Sequence, residues 1–151
     1  MMRIVIIVLC SVLCLLGVPD WMMNSRWPWL CAAAYPLYHA NIFHLAVNMI
    51  AVWALYAPRF RNKGWLLLCS WIVSTIVWPL APHPMVGISN LLYASIGFMT
   101  PVFRKGYWRQ PAIIVFYLMT LGMVFLPGVA GWAHIASLAC GLFFSTLRMR
   151  R

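Results

Sequence analysis

Apolar residues occupy the chain in six long runs, separated by short segments that are charged or rich in proline and glycine. The runs cover roughly residues 4–18, 37–57, 65–81, 87–103, 111–127 and 130–147. Most of them approach the roughly 17–25 residues that a helix needs to cross about 30 Å of hydrocarbon. Because the connections are short, the pattern predicts one compact all-α bundle of six transmembrane helices over residues 1–151, with no second domain.

The composition strengthens the membrane interpretation. Of the 151 residues, 65% are hydrophobic and 8% are charged, which excludes a soluble domain with an ordinary charged surface. The first run also has features of a signal peptide, since Arg3 precedes an uncharged stretch. No small-x-small cleavage site follows it, so we expect the run to remain as a span.

Positive charge falls on one side of the six-span arrangement. All eleven basic residues except Arg26 lie before the first run, in the second or fourth connection, or after the last run. The positive-inside rule therefore predicts that both termini are cytoplasmic, and the compact form favours a multi-pass protein of the bacterial inner membrane. The charges are clusters at span ends rather than a basic stripe, so anionic lipid headgroups are the expected partners and nucleic acid is not.

Three polar side chains from different runs fall at one predicted depth. The second, fourth and sixth runs all pass from outside to inside, and Ser89 lies roughly 21 Å above the inner end of its run. His134 and His44 each lie about 20 Å above the inner ends of theirs. Asn48 is one turn deeper than His44 on the same helical face. Since polar groups in hydrocarbon tend to face the bundle interior or a wet cavity, this level is a candidate site.

The fourth run has an unusual beginning. Pro82 and Pro84 disfavour a helix, so we expect a short fourth helix that starts near Gly87, inside the membrane. Ser89 then stands in the first turn, where free backbone N–H groups and the positive end of the helix dipole favour a developing oxyanion. Gly87, just before it, permits a close approach of the backbone.

Acidic side chains are nearly absent, which excludes several kinds of site. The chain has no glutamate, and Asp20 is its only aspartate. An aspartyl dyad, a HExxH zinc site, a carboxylate-coupled transporter and a Ser–His–Asp triad therefore each lack an essential part. What remains is Ser89 as a nucleophile with His134 as its general base. Tyr93, one turn below Ser89, can pack against the imidazole and orient it. No metal or cofactor is predicted.

Three segments of the chain resemble the motifs of one known family. Residues 38–48 follow an aromatic-rich loop and contain a His-x4-His-x3-Asn pattern. Residues 87–97 begin Gly-Ile-Ser-Asn-Leu-Leu-Tyr, and residues 133–141 read Ala-His-Ile-Ala-Ser-Leu-Ala-Cys-Gly. In this order and orientation they resemble the second, fourth and last spans of the rhomboid intramembrane serine proteases, in their minimal six-span form.

The resemblance implies a role for each residue at the predicted level. Ser89 is expected to be the nucleophile and His134 the general base. His44 and Asn48 are expected to stabilise the oxyanion together with the backbone N–H of Ser89. The implied activity is regulated proteolysis, in which single-span membrane proteins are cut within their transmembrane segments near the outer boundary.

Three positions depart from the family pattern. Asn90 replaces the usual glycine after the serine, and its bulk could narrow the site. Ser137 replaces the first glycine of the last helix, but it is small and should still permit close packing with Gly141 beneath it. Leu30 stands where the first loop often carries an arginine.

Two alternatives from other functional classes stay open at this point. The chain could be a catalytically silent rhomboid-like protein that binds transmembrane helices. It could also be a haem protein with His44 and His134 as axial ligands.

Overall fold

The computed structural model describes residues 1–20, 28–56, 63–78, 85–103 and 131–149. These residues form six α-helices and contain no β-strand, in agreement with the all-α prediction. The helices are α1 (Met2–Leu16), α2 (Pro28–Ala34), α3 (Ile42–Leu55), α4 (Lys63–Val77), α5 (Ser89–Phe103) and α6 (Gly131–Met149). A 3-10 turn, Tyr35–Leu37, directly follows α2.

The helix boundaries agree with most of the predicted runs. The first, fourth and sixth runs begin and end within two residues of α1, α5 and α6. α3 begins at Ile42, later than the second run, because the backbone is extended at Tyr38 and Asn41, and Asn41 caps the helix with its side chain. The third run corresponds to α4, although its last residues, 79–81, lie outside the described residues, as does the whole fifth run at 111–127.

The hydrophobic pattern did not predict α2, which occupies a connection between two runs. Its first residue is Pro28, whose fixed backbone angle suits the first position of a helix. The helix is tied to α4 because the indole N–H of Trp71 donates to the carbonyl of Ala33 at 3.0 Å.

In the parts of the chain that the structure describes, no helix combines the length and the apolar character needed to cross a membrane.

The centre of the fold is α5, whose residues 90–97 are all buried. α6 packs directly on its backbone at two glycines. A Cβ atom on Gly97 would lie 2.8 Å from the backbone nitrogen of Leu142, and one on Gly141 would lie 3.0 Å from that of Phe98. α6 can therefore pack this closely on α5 only because Gly141 has no side chain. Gly97 has the corresponding role on α5.

A buried group of hydroxyls joins the middle of α5 to α3 and α4. The Ser95 hydroxyl lies 2.6 Å from the hydroxyl of Tyr56 at the end of α3 and donates to Ser70 on α4 at 2.8 Å. All three side chains are almost completely buried. Since these bonds do not compete with water, they stabilise the three-helix junction below the candidate site.

Candidate active site

Ser89 and His134 are hydrogen-bonded although they are 45 residues apart in the sequence. Ser89 is the first residue of α5, and its hydroxyl lies 2.8 Å from Nε2 of His134 in the first turn of α6. His134 is buried, whereas Ser89 is partly exposed. A partly exposed hydroxyl beside a buried imidazole has the geometry of a nucleophile and its general base.

Tyr93 stacks on the imidazole of His134, one turn into α5 from Ser89. The two ring centroids are 4.5 Å apart, and the ring planes differ by 28°. Nδ1 of His134 has no hydrogen-bond partner among the described residues. The orientation of the imidazole in this part of the chain is therefore set by the aromatic face and by Ser89, without a carboxylate.

His44 and Asn48 lie in the N-terminal half of α3, next to the segment before Ser89. The side chain of Asn41 accepts a hydrogen bond from the backbone N–H of His44 at 2.8 Å, which fixes the start of α3. A Cβ atom on Gly87 would lie 2.8 Å from Nε2 of His44 and 3.5 Å from the amide nitrogen of Asn48. Both side chains thus lie close to the backbone two residues before Ser89.

Position 87 has two features that only a glycine can satisfy. Its φ is +114°, a conformation that L side chains rarely adopt. It also lies so close to the His44 ring that there is no space for a Cβ atom. At Gly87 the backbone therefore lies directly against the His44 ring.

Several donors converge on the region around Ser89. Asn48 is buried, and its side-chain nitrogen has no hydrogen-bond partner among the described residues. The backbone N–H of Ser89, at the start of a helix, has no partner within the helix. Together with His44, these groups can stabilise a negatively charged oxygen that forms next to the serine.

Asn90 points away from the dyad. It is 1% exposed, and its side-chain nitrogen donates to the Tyr35 hydroxyl at 3.0 Å and lies 3.6 Å from the sulfur of Met85. Because its contacts involve neither Ser89 nor His134, its bulk is accommodated beside Tyr35. The contacts of Asn90 give no sign of a narrowed site.

Ser137 lies one turn after His134 on α6. It is fully buried, and its hydroxyl has no hydrogen-bond partner among the described residues. Ser137 thus lies in the interior of the fold, one turn before Gly141 on the same helix.

Two residues near the site were not assigned a role from the sequence. His39 is 2% exposed, and the edge of its ring packs against His44, with centroids 5.2 Å apart. Tyr35, in the 3-10 turn, accepts the backbone N–H of Gly87 on its own carbonyl at 3.0 Å. Two features of the sequence could have pointed to these residues. His39 is a polar residue within the second apolar run, and Tyr35 belongs to the aromatic-rich loop before it.

The hydroxyl of Tyr35 is protonated at neutral pH. Burial raises the pKa of Tyr35 to about 12, although its hydrogen bonds with Ser74 and Asn90 act in the opposite direction. The group can therefore donate one hydrogen bond and accept others.

Comparison with known proteins adds one finding. The family model described as Rhomboid domain matches residues 24–151, which is most of the chain. No curated protein matches the chain significantly.

Proposed function

The chain belongs to the rhomboid family, whose members are embedded in membranes, and we propose that it is an intramembrane serine endopeptidase. The match confirms the resemblance indicated by the three sequence motifs. The observation that carries the proposal is the 2.8 Å contact between the Ser89 hydroxyl and Nε2 of His134.

The geometry supports a reaction in two halves. The Ser89 oxygen attacks the carbonyl carbon of a peptide bond while its proton passes to Nε2 of His134. When the tetrahedral intermediate collapses, the same proton is transferred to the leaving amine, and an ester to Ser89 remains. Water then attacks this ester with His134 again as the base, which releases the acid and restores the serine hydroxyl.

The negative charge of each intermediate falls near the donors described above. We assign its stabilisation to His44, Asn48 and the backbone N–H of Ser89. During proton transfer His134 becomes a cation, and the face of Tyr93 at 4.5 Å supports it by a cation–π interaction. This contact takes the place of the carboxylate that a triad would use.

The proposed substrates are transmembrane segments of single-span proteins, cut near their outer boundary. A helical segment hides its carbonyls in hydrogen bonds, so the substrate must unwind locally, and small residues near the cut ease this. The proposal includes a single domain over residues 1–151 with both termini in the cytoplasm of a bacterium. Its basic clusters would contact anionic lipids.

The alternative of a silent helix-binding protein has less support. Such a protein has no need for a serine bonded to a histidine, or for further donors beside it. Haem ligation is disfavoured because Nε2 of His134 faces Ser89 and the ring is stacked on Tyr93.

Cleavage and binding can be separated in one experiment. A panel of single-span fusion proteins with different transmembrane helices is reconstituted with the wild type, Ser89→Ala or His134→Ala. Peptidase activity predicts cleavage of at least one fusion by the wild type and none by either variant. Helices that are captured but left intact by all three proteins would favour the silent alternative.

A further inference from the structure

Tyr35 contacts the chain on both sides of Ser89. Its carbonyl accepts the backbone N–H of Gly87 at 3.0 Å, two residues before the serine. Its hydroxyl accepts the side-chain N–H of Asn90 at 3.0 Å, one residue after the serine. We propose that the Tyr35 side chain, acting through Asn90, is a positioning group that holds Ser89 in line with His134, next to the backbone contact at Gly87. This inference rests on the proposed peptidase function.

The hydroxyl of Tyr35 is itself anchored to α4. It donates to the carbonyl of Ser74 at 3.2 Å and makes a second, short hydrogen bond with the Ser74 hydroxyl. Tyr35, Ser74 and Asn90 are all at most 1% exposed. Because water does not compete for these bonds, they fix the first turn of α5 relative to α4.

The outer end of α5 needs such an anchor. The close backbone contact between α5 and α6 runs from Ala94 to Phe98, so it begins after the first turn that carries Ser89. The distance between Ser89 and His134 therefore depends on what holds the first turn. Misplacement of reacting groups by about 1 Å can cost a factor of about 100 in rate, so small movements there are sufficient to affect the reaction.

Asn90 also acquires a role in this arrangement. A glycine at this position, as the family pattern has, cannot donate a side-chain hydrogen bond to Tyr35. Asn90 therefore supplies a connection between the nucleophile's helix and the 3-10 turn that a glycine could not make.

The test compares Tyr35→Phe, Asn90→Ala and the double variant by reaction with a fluorophosphonate probe. The rate is measured against probe concentration and expressed per folded molecule, so that kinact and KI are separated. Each single variant should lower kinact by about 5- to 20-fold and leave KI nearly unchanged. Because both changes remove the same Tyr35–Asn90 hydrogen bond, the double variant should react no more than about twofold more slowly than the slower single variant.

Tyr56→Phe is the matched control. Like Tyr35→Phe, it removes a buried tyrosine hydroxyl that is bonded to a serine. That serine is Ser95, which lies on α5 six residues beyond Ser89. It should lower the melting temperature and leave kinact per folded molecule within about twofold of the wild type.

The outcomes separate this inference from the proposed function. Wild-type kinact in both Tyr35→Phe and Asn90→Ala, or effects that multiply in the double variant, would overturn the positioning role and leave the Ser–His mechanism intact. Asn90→Ala keeps the test valid even where Tyr35→Phe does not fold. A wild type that does not react with the probe, beside an active rhomboid that does, would overturn both.

Discussion

Replacing Gly87 by alanine should damage the site in a way that can be worked out from distances. The new Cβ atom would lie 2.5 Å from Cε1 of His44, whereas ordinary contacts begin at 3.4 Å, so the ring must retreat by about 0.9 Å. A shift of this size at an oxyanion donor predicts about a 100-fold slower reaction with a fluorophosphonate. Stability should also fall, since the positive φ costs about 1–3 kcal/mol and the overpacking costs about as much again.

Two other glycines separate these effects. Gly17 also has a positive φ, but a Cβ atom there would meet no other atom within 4 Å, so Gly17→Ala should show only the strain. Gly64 has neither feature, so Gly64→Ala should change stability by less than about 1 kcal/mol. Both variants should react with the probe at the wild-type rate per folded molecule.

The assay combines thermal unfolding in detergent with the rate of probe labelling. The double variant Gly87→Ala/His44→Ala gives the new methyl group space, so it should regain part of the lost stability while its labelling stays slow. The reasoning is refuted if Gly87→Ala alone labels as fast as Gly17→Ala, because His44 would then have no part in the reaction.

Three further predictions concern the same site. Asn48→Ala should slow labelling by about 100-fold with little loss of stability, as expected for the removal of one oxyanion donor; a wild-type rate would exclude that role. Tyr93→Phe keeps the ring and should label within about twofold of the wild type, whereas Tyr93→Ala should be slower by up to about tenfold; equal rates would show that stacking does not orient His134. Gly141→Ala should lower stability by about 1–3 kcal/mol in thermal unfolding because it separates α5 from α6; an unchanged melting temperature would contradict the close packing.

The sequence predicted best the helices that fill a whole hydrophobic run. α1, α5 and α6 follow from apolar stretches that end at charged or proline-containing segments. α2 was missed because a helix of seven residues has too little periodicity to detect. The start of α3 was placed too early because apolar content alone does not show where extended backbone ends and a helix begins.

Part of the candidate site could be predicted from the sequence, because the position of a residue along a helix follows from counting residues. Counting residues from the charged ends brought Ser89, His134 and His44 to one level, and helical spacing put Tyr93 below Ser89. The role of Tyr35 could not be found in this way. Its contacts with Gly87 and Asn90 depend on the path of the 3-10 turn and on contacts between distant segments, which no local pattern specifies.

The direction of the Asn90 side chain was inaccessible for a related reason. The sequence shows that a side chain larger than glycine follows Ser89. The direction of the Asn90 side chain depends on its hydrogen bond with Tyr35, which the sequence does not show.

The most direct test of the central claim is mass spectrometry of the protein after reaction with a fluorophosphonate in detergent. The mechanism predicts one adduct, on Ser89, that is absent from Ser89→Ala and strongly reduced in His134→Ala. An adduct on another residue, or an unmodified Ser89 while an active rhomboid is labelled in parallel, would contradict the Ser–His mechanism.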